Sequence, residues 1–315
     1  MVLGSEAYFQ GRDTIGNEEF KIVHRPVMPG EVLELLQVRP DGLYIDATMG
    51  AGGHTEEILK RLRGGRLLAI DRDPKAIDEA RQGLRGFEEK LIVLQGNFAD
   101  IDVLHGRSGL SLADGMLADL GMSSQQVEDA ARGFSFSRSG PLDMRMDSET
   151  QTTAGQIVNQ SRERELADTI FRLGEERHSR RVARAIVKAR PIRTTTELAQ
   201  VVSRAIPYRA GLHQIHPATR TFQALRLAVN RELENLAAFL SNALAVLAPG
   251  GRLVMLSFHS LEDRMVKQAF QRWQHEGRAL VLTRKVVRPS EEEVLANPRS
   301  RSAKLRASEK AAKEC

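Results

Sequence analysis

The chain has 315 residues, 41% hydrophobic and 28% charged, with 46 Lys and Arg against 41 Asp and Glu for a formal charge of +5. That length holds one large domain or two modest ones, and the mild basicity suits a polyanionic partner. The single cysteine, Cys315, excludes a disulfide framework and a cysteine metal cluster, and no apolar run is long enough to span a bilayer.

Residues 1–20, with Glu6, Asp13, Glu18 and Glu19 and no apolar segment, read as a flexible leader and not as a secretory signal. The expectation is a soluble protein of the reducing cytoplasm. His24-Arg25-Pro26-Val27-Met28 is an extended entry, and a helix from Pro29 ends before Pro40-Asp41-Gly42. Leu43–Asp46 reads as a buried strand. It breaks into Gly50, Gly52 and Gly53, and Glu56–Leu62 then has helical spacing. Strand, glycine turn and helix N-terminus together let backbone approach a nucleotide-like ligand closely. Arg66–Asp71 is a second strand ending in an acid, where a ribose-binding carboxylate belongs.

The dinucleotide pattern G-x-G-x-x-G is not met, and no G-K-[ST] follows the glycines. Asp46 ends the first strand, where it would repel a pyrophosphate but attract the sulfonium and ammonium of S-adenosylmethionine. That favours S-adenosylmethionine over NAD.

Asp73-Pro74 opens a helix through Leu84, Leu91–Leu94 is a third strand leading to Phe98, and Gly115–Gly121 is a fourth carrying Asp119. Strands alternating with helices predict a parallel, doubly wound α/β sheet, with Asp46, Asp71, Phe98 and Asp119 on the carboxyl rim where ligands collect. From Ser123 to Ile215 no strand is evident. Helical patterns run over 154–158, 163–173, 175–189 and 196–206. The third carries Arg177, Arg180, Arg181, Arg184 and Lys188 outside an apolar stripe, a candidate RNA face. A single long helix is expected from His216 to Leu247, then a strand over Arg252–Phe258. The basic stretch Arg299–Arg306 is either a last strand or an RNA-facing tail. His259 and Asp263 are candidates to reach the cleft, with a structural histidine the alternative for His259. Asp143 and Arg145 either orient a target base or pair to hold their loop.

Several stretches resemble the bacterial 16S rRNA (cytosine-N4) methyltransferase family, RsmH or MraW. They include His24–Met28, Asp46–His54, Ala69–Pro74, Asp119–Ser124, Arg132–Phe136, Gly140–Asp147, His216–Arg226, Ser257–Arg264 and Asn297–Arg306. The resemblance implies a Rossmann-like methyltransferase sheet over 21–125 and 216–315, interrupted by an all-helical substrate domain over 126–215. It implies S-adenosylmethionine contacts at Gly52, Gly53, His54, Asp71, Phe98, Asp119 and Gln126, and no metal. The implied reaction methylates the exocyclic N4 of one cytosine in the decoding centre of 16S rRNA, so the partner is that RNA or the small ribosomal subunit. Oligomeric state stays open, a homodimer included.

The residues themselves favour N4 over C5, because C5 methylation generally needs a cysteine thiolate and Cys315 sits at the chain end. An exocyclic amine needs positioning and hydrogen-bond acceptors, and Asp119 is the candidate catalytic acceptor. Two other readings remain. One is an NAD-linked oxidoreductase, against which the missing third glycine speaks. The other is a non-enzymatic RNA-binding assembly factor, which a degenerate pocket would favour.

Overall fold

The structure is a computed structural model that describes residues 25–147, 150–206 and 216–312; the leader over 1–20 lies outside the described residues. Helix α1 (Pro29–Leu36) precedes β1 (Leu43–Asp46), α2 (Gly53–Leu59), β2 (Arg66–Asp71), α3 (Pro74–Gly83) and β3 (Leu91–Gln95). Then follow α4 (Ile101–Ser108), β4 (Ala113–Asp119) and α5 (Ser124–Glu128). A run of helices comes next: α6 (Ala154–Gln160), α7 (Glu163–Gly174), α8 (Ser179–Ala189), α9 (Thr195–Ala205), α10 (Thr219–Asn230) and α11 (Glu232–Asn242). The chain closes with β5 (Leu247–Ser257), α12 (Ser260–His275), β6 (Ala279–Val281), α13 (Glu291–Ala296) and β7 (Lys304–Lys310).

Among the described residues seven strands form one sheet in the order β3-β2-β1-β4-β5-β7-β6. The first five pair parallel, and β7 runs antiparallel between β5 and β6. The expected parallel sheet therefore carries one reversed strand near its edge. Arg299–Arg306 resolves as a turn leading into that strand: Leu305 and Ala307 are buried, so the tail alternative falls.

Strand residues alternate between two apolar layers, as a sheet covered on both faces requires. Ile45, Leu253 and Met255 pack with Phe239, Phe270 and Trp273 on one side. Tyr44, Val254 and Leu256 pack with Val32, Leu36 and Ile58 on the other. A third cluster gathers α6 to α9 around Leu166, Ile170, Val182, Ile186 and Leu198. Capping boxes start three of the helices: Ser123 with Gln126, Thr153 with Gln156, and Thr194 with Glu197.

Two expectations need correction. The long helix from 216 to 247 is broken at Arg231, whose φ of 50° ends α10 and begins α11. And α10 packs with the helical cluster through Phe222, Leu225 and Val229, not with the sheet. Only from α11 onward does the chain rejoin the sheet layers.

Candidate active site

A cavity of about 220 Å³ opens at the carboxyl ends of β1 to β5. Gly50, Gly53, His54, Asp71, Phe98, Asp119 and Gln126 line it, together with Thr48, Arg72, Glu232 and Glu262. Six of the seven expected cofactor contacts are thus brought to one place.

The seventh, Gly52, does not line the cavity. Its φ is +84°, and a Cβ there would meet Leu84 Cδ1 at 3.2 Å and Ala80 Cβ at 3.3 Å. Gly52 lets α2 start against α3, while Gly50, at φ +52° and with no atom nearer than 4.0 Å to an added Cβ, presents its backbone to the cavity.

Asp71 holds the loop from below. Its Oδ2 accepts the Gly50 N–H at 2.8 Å and its Oδ1 accepts the Asp73 N–H at 2.9 Å. Burial raises its carboxyl above the ordinary range despite those bonds. Each oxygen keeps lone-pair capacity toward the cavity. Asp46, by contrast, sits under the loop and not in the cavity wall. It is 1% exposed, accepts the Thr55 hydroxyl at 2.7 Å and the Thr48 N–H at 3.2 Å, and burial pushes it up to about 6. Thr48 in turn accepts the Asp119 N–H at 2.6 Å, tying the ends of β1 and β4. The direct sulfonium contact expected of Asp46 is replaced by a supporting role.

Asp119 faces His54, with Oδ2 and Nε2 3.6 Å apart. Burial first, then the charges of Asp46 and Glu262, push Asp119 up to about 8. Burial lowers His54 to about 4. His54 Nε2 and Asp119 Oδ1 are buried and have no hydrogen-bond partner. Orphaned polar atoms in a cavity wall are costly unless a ligand meets them.

Phe98 supplies a flat apolar wall, its ring 5.2 Å from that of Phe239. Gln126 is already committed: its Nε2 donates to Asp73 Oδ2 at 2.9 Å and its Oε1 accepts the Ser123 N–H at 3.1 Å. Asp73 also pairs with Arg132 at 2.9 Å, and Arg132 donates to the carbonyls of Arg145 and Met146. This chain of bonds ties the cavity wall to the 132–147 loop. In that loop Asp143 and Arg145 form a two-pronged pair at 2.8 Å, the holding alternative.

A profile of the MraW methylase family matches residues 21–311. The chain belongs to that family. It is 51% identical to "Ribosomal RNA small subunit methyltransferase H" of Syntrophobacter fumaroxidans, over 91% of this chain and 96% of the relative. With the protein of the same name from Koribacter versatilis it shares 48%, over 97% and 99%. A solved rRNA methylase from Streptococcus thermophilus aligns over 90% of this chain and 93% of its own at 11% identity, with a TM-score of 0.42. Membership in a methylase family sets aside the NAD-linked alternative.

The residues fit S-adenosylmethionine, the methyl donor the fold implies. The two orphaned atoms, the Asp71 carboxyl and the glycine backbone offer polar partners, and Phe98 offers an apolar face. Among the described residues no cluster of His, Cys, Asp and Glu is placed to hold a metal, and no helix is long and apolar enough to cross a membrane.

Two carboxylates of the cavity wall were missed from sequence. Glu262, not Asp263, faces the site; Asp263 pairs with Arg306 at 2.6 Å. His259 stands behind Glu262, accepting its N–H through Nδ1 as the N-cap of α12. Glu232 is held by Arg226 in a two-pronged pair, both bonds 2.9 Å, directly across the Arg231 break. An acid at the start of α11 carries no distinguishing pattern, so no sequence signal marked it.

Proposed function

We propose that this chain methylates the exocyclic N4 of a cytosine in the decoding centre of 16S rRNA, in the cytoplasm, using S-adenosylmethionine. In this reading the sheet holds the cofactor, and the helical cluster, α10 included, receives the RNA. The relatives' names support a small-subunit RNA substrate. The exposed cations Arg180, Arg181, Arg184 and Lys188 along α8, with Arg177 just before it, support a phosphate-facing surface.

When bound, the cofactor supplies an electrophilic methyl group on a sulfonium. Asp71 takes ribose hydroxyls on its remaining lone pairs, Phe98 packs against the flat base, and the glycine backbone admits close approach. Asp119 accepts an N–H of the target amine, aligning its nitrogen for in-line attack, which is where most of the rate originates. A protonated carboxyl still accepts through its carbonyl oxygen, so this holds at neutral pH. The target base must leave its stack to reach so enclosed a cavity.

The observation that carries the reading is the Asp119 carboxyl, which lines the cavity with its side chain 26% exposed and one oxygen without a partner, in a chain whose only cysteine is terminal Cys315. Nucleoside mass spectrometry of 16S rRNA, from a strain lacking the gene and from one with it restored, tests it. Loss and return of N4-methylcytidine is the expected result. An unchanged level overturns the reading.

A further inference from the structure

Amine methylation leaves a proton to dispose of, and the cavity wall contains a carboxylate built to take it. Glu262 is 3% exposed yet lines the cavity. One of its oxygens is fixed: Oε2 accepts the Phe258 N–H at 3.0 Å, while Oε1 lies 3.2 Å from His259 Nε2. The His259 ring has its orientation set by the Glu262 N–H, which Nδ1 accepts; that assigns the ring hydrogen to Nε2, which lies beside Oε1 without hydrogen-bond alignment. Each carboxylate oxygen retains a lone pair for a ligand.

The charged surroundings keep Glu262 ionised. Burial raises its carboxyl, but the adjoining His259 ring, the Arg226 charge and the Phe258 N–H more than offset this, leaving it below the ordinary range. The groups facing it are His259 on the loop after β5, Arg226 on α10 with its partner Glu232, Asp119 at the end of β4, and Lys304 on β7. In the unliganded cavity Asp119, whose neighbour Glu262 is itself one cause of its raised value, holds a proton at neutral pH. Two carboxyls in one cleft with affinities driven apart is the arrangement that divides acid from base roles.

We propose that Glu262, set in place by His259, is the proton acceptor for the methylated amine, a role that rests on the amine-methylation reading above. As the N4–CH3 bond forms and the S–CH3 bond breaks, the nitrogen becomes cationic. One N–H proton passes to a Glu262 oxygen, leaving neutral N4-methylcytosine and a neutral carboxylic acid, which later loses its proton to solvent. Asp119 orients the amine and Glu262 discharges it.

The test is single-turnover methylation by the full chain, with saturating S-adenosylmethionine and small subunits lacking the modification. Glu262→Gln is expected to be about 100-fold slower, with cofactor affinity by calorimetry within about threefold of wild type. Glu262→Ala is expected to be as slow and to recover about tenfold on adding formate, which restores a carboxylate to the vacated space. A structural role gives no such rescue. Full rate in Glu262→Gln, or a slow Glu262→Ala indifferent to formate, overturns the proposal. If Glu262→Ala does not fold, the isosteric Gln variant decides alone. If the wild-type chain itself produces no N4-methylcytidine, it is the functional reading that fails.

Discussion

His54 and Asp119 face each other across the glycine loop with Nε2 and Oδ2 3.6 Å apart, and at neutral pH neither carries a charge. Burial strips the proton from the imidazole, to about 4, and keeps one on the carboxyl, up to about 8. Asp119 therefore binds its proton more tightly folded than unfolded. Its contribution to stability is full below the ordinary carboxyl value of 3.8 and is lost as pH rises through about 8. Asp119→Asn, which cannot ionise, is expected to melt close to wild type near pH 4. It should gain several degrees over it by about pH 8, in thermal unfolding without cofactor. A gap that does not grow with pH would mean the carboxyl is already ionised.

The same carboxyl makes cofactor affinity pH-dependent. A sulfonium entering the cavity favours ionised Asp119, so binding releases a proton over the window below about 8. Affinity for S-adenosylmethionine is expected to rise by up to about tenfold per pH unit there and level off above it. S-adenosylhomocysteine, whose sulfur is neutral, should have a shallower profile. Calorimetry in two buffers of different ionisation enthalpy counts the protons directly.

Gly52→Ala separates loop architecture from ligand contact. The new methyl would be held at φ +84° and pressed against Ala80 and Leu84, so a loss of about 1–3 kcal/mol is expected in chemical denaturation. Gly83→Ala is the control. It lies at the end of α3 with no atom within 4 Å of the added carbon, and should be neutral or stabilise by about 0.5–1 kcal/mol.

Replacing Arg180, Arg181 and Arg184 together by Ala tests the α8 surface. These side chains are exposed, and among the described residues only Arg184 has an acidic partner, Glu163 at 3.5 Å, which solvent screens. Affinity for small-subunit RNA is expected to fall and its slope against log salt to flatten by about 2 units, with cofactor binding unchanged. An unaltered salt slope would take the RNA off this face.

Much of the site was legible because its chemistry is local in sequence. Strand, glycines and terminal acid lie within Leu43–Asp71, and the rim positions of Phe98 and Asp119 follow from alternation of strand and helix. What escaped depends on direction and on distant packing. Asp46 and Asp71 both end strands, yet only Asp71 lines the cavity, because Thr48 and Thr55 cover Asp46. Asp263 and Glu262 are adjacent, and a helix turns neighbouring side chains about 100° apart, so one faces the cavity and the other meets Arg306. The apolar rhythm from His216 to Leu247 runs unbroken through Arg231, a residue that rarely adopts a left-handed conformation, so the bend gave no warning.

The pairing of β4 with β5 sets Asp119 beside Leu256, partners separated by the whole helical run. Glu262 follows one turn later, and β7, which flanks β5, is the last strand of the chain. Contacts so remote in sequence form late, since closing a long loop is costly before the contacts it permits are made. During synthesis, then, the cavity closes after the helical cluster has emerged. A nascent chain presents its basic helices before β5, α12 and β7 have emerged to complete the cavity wall.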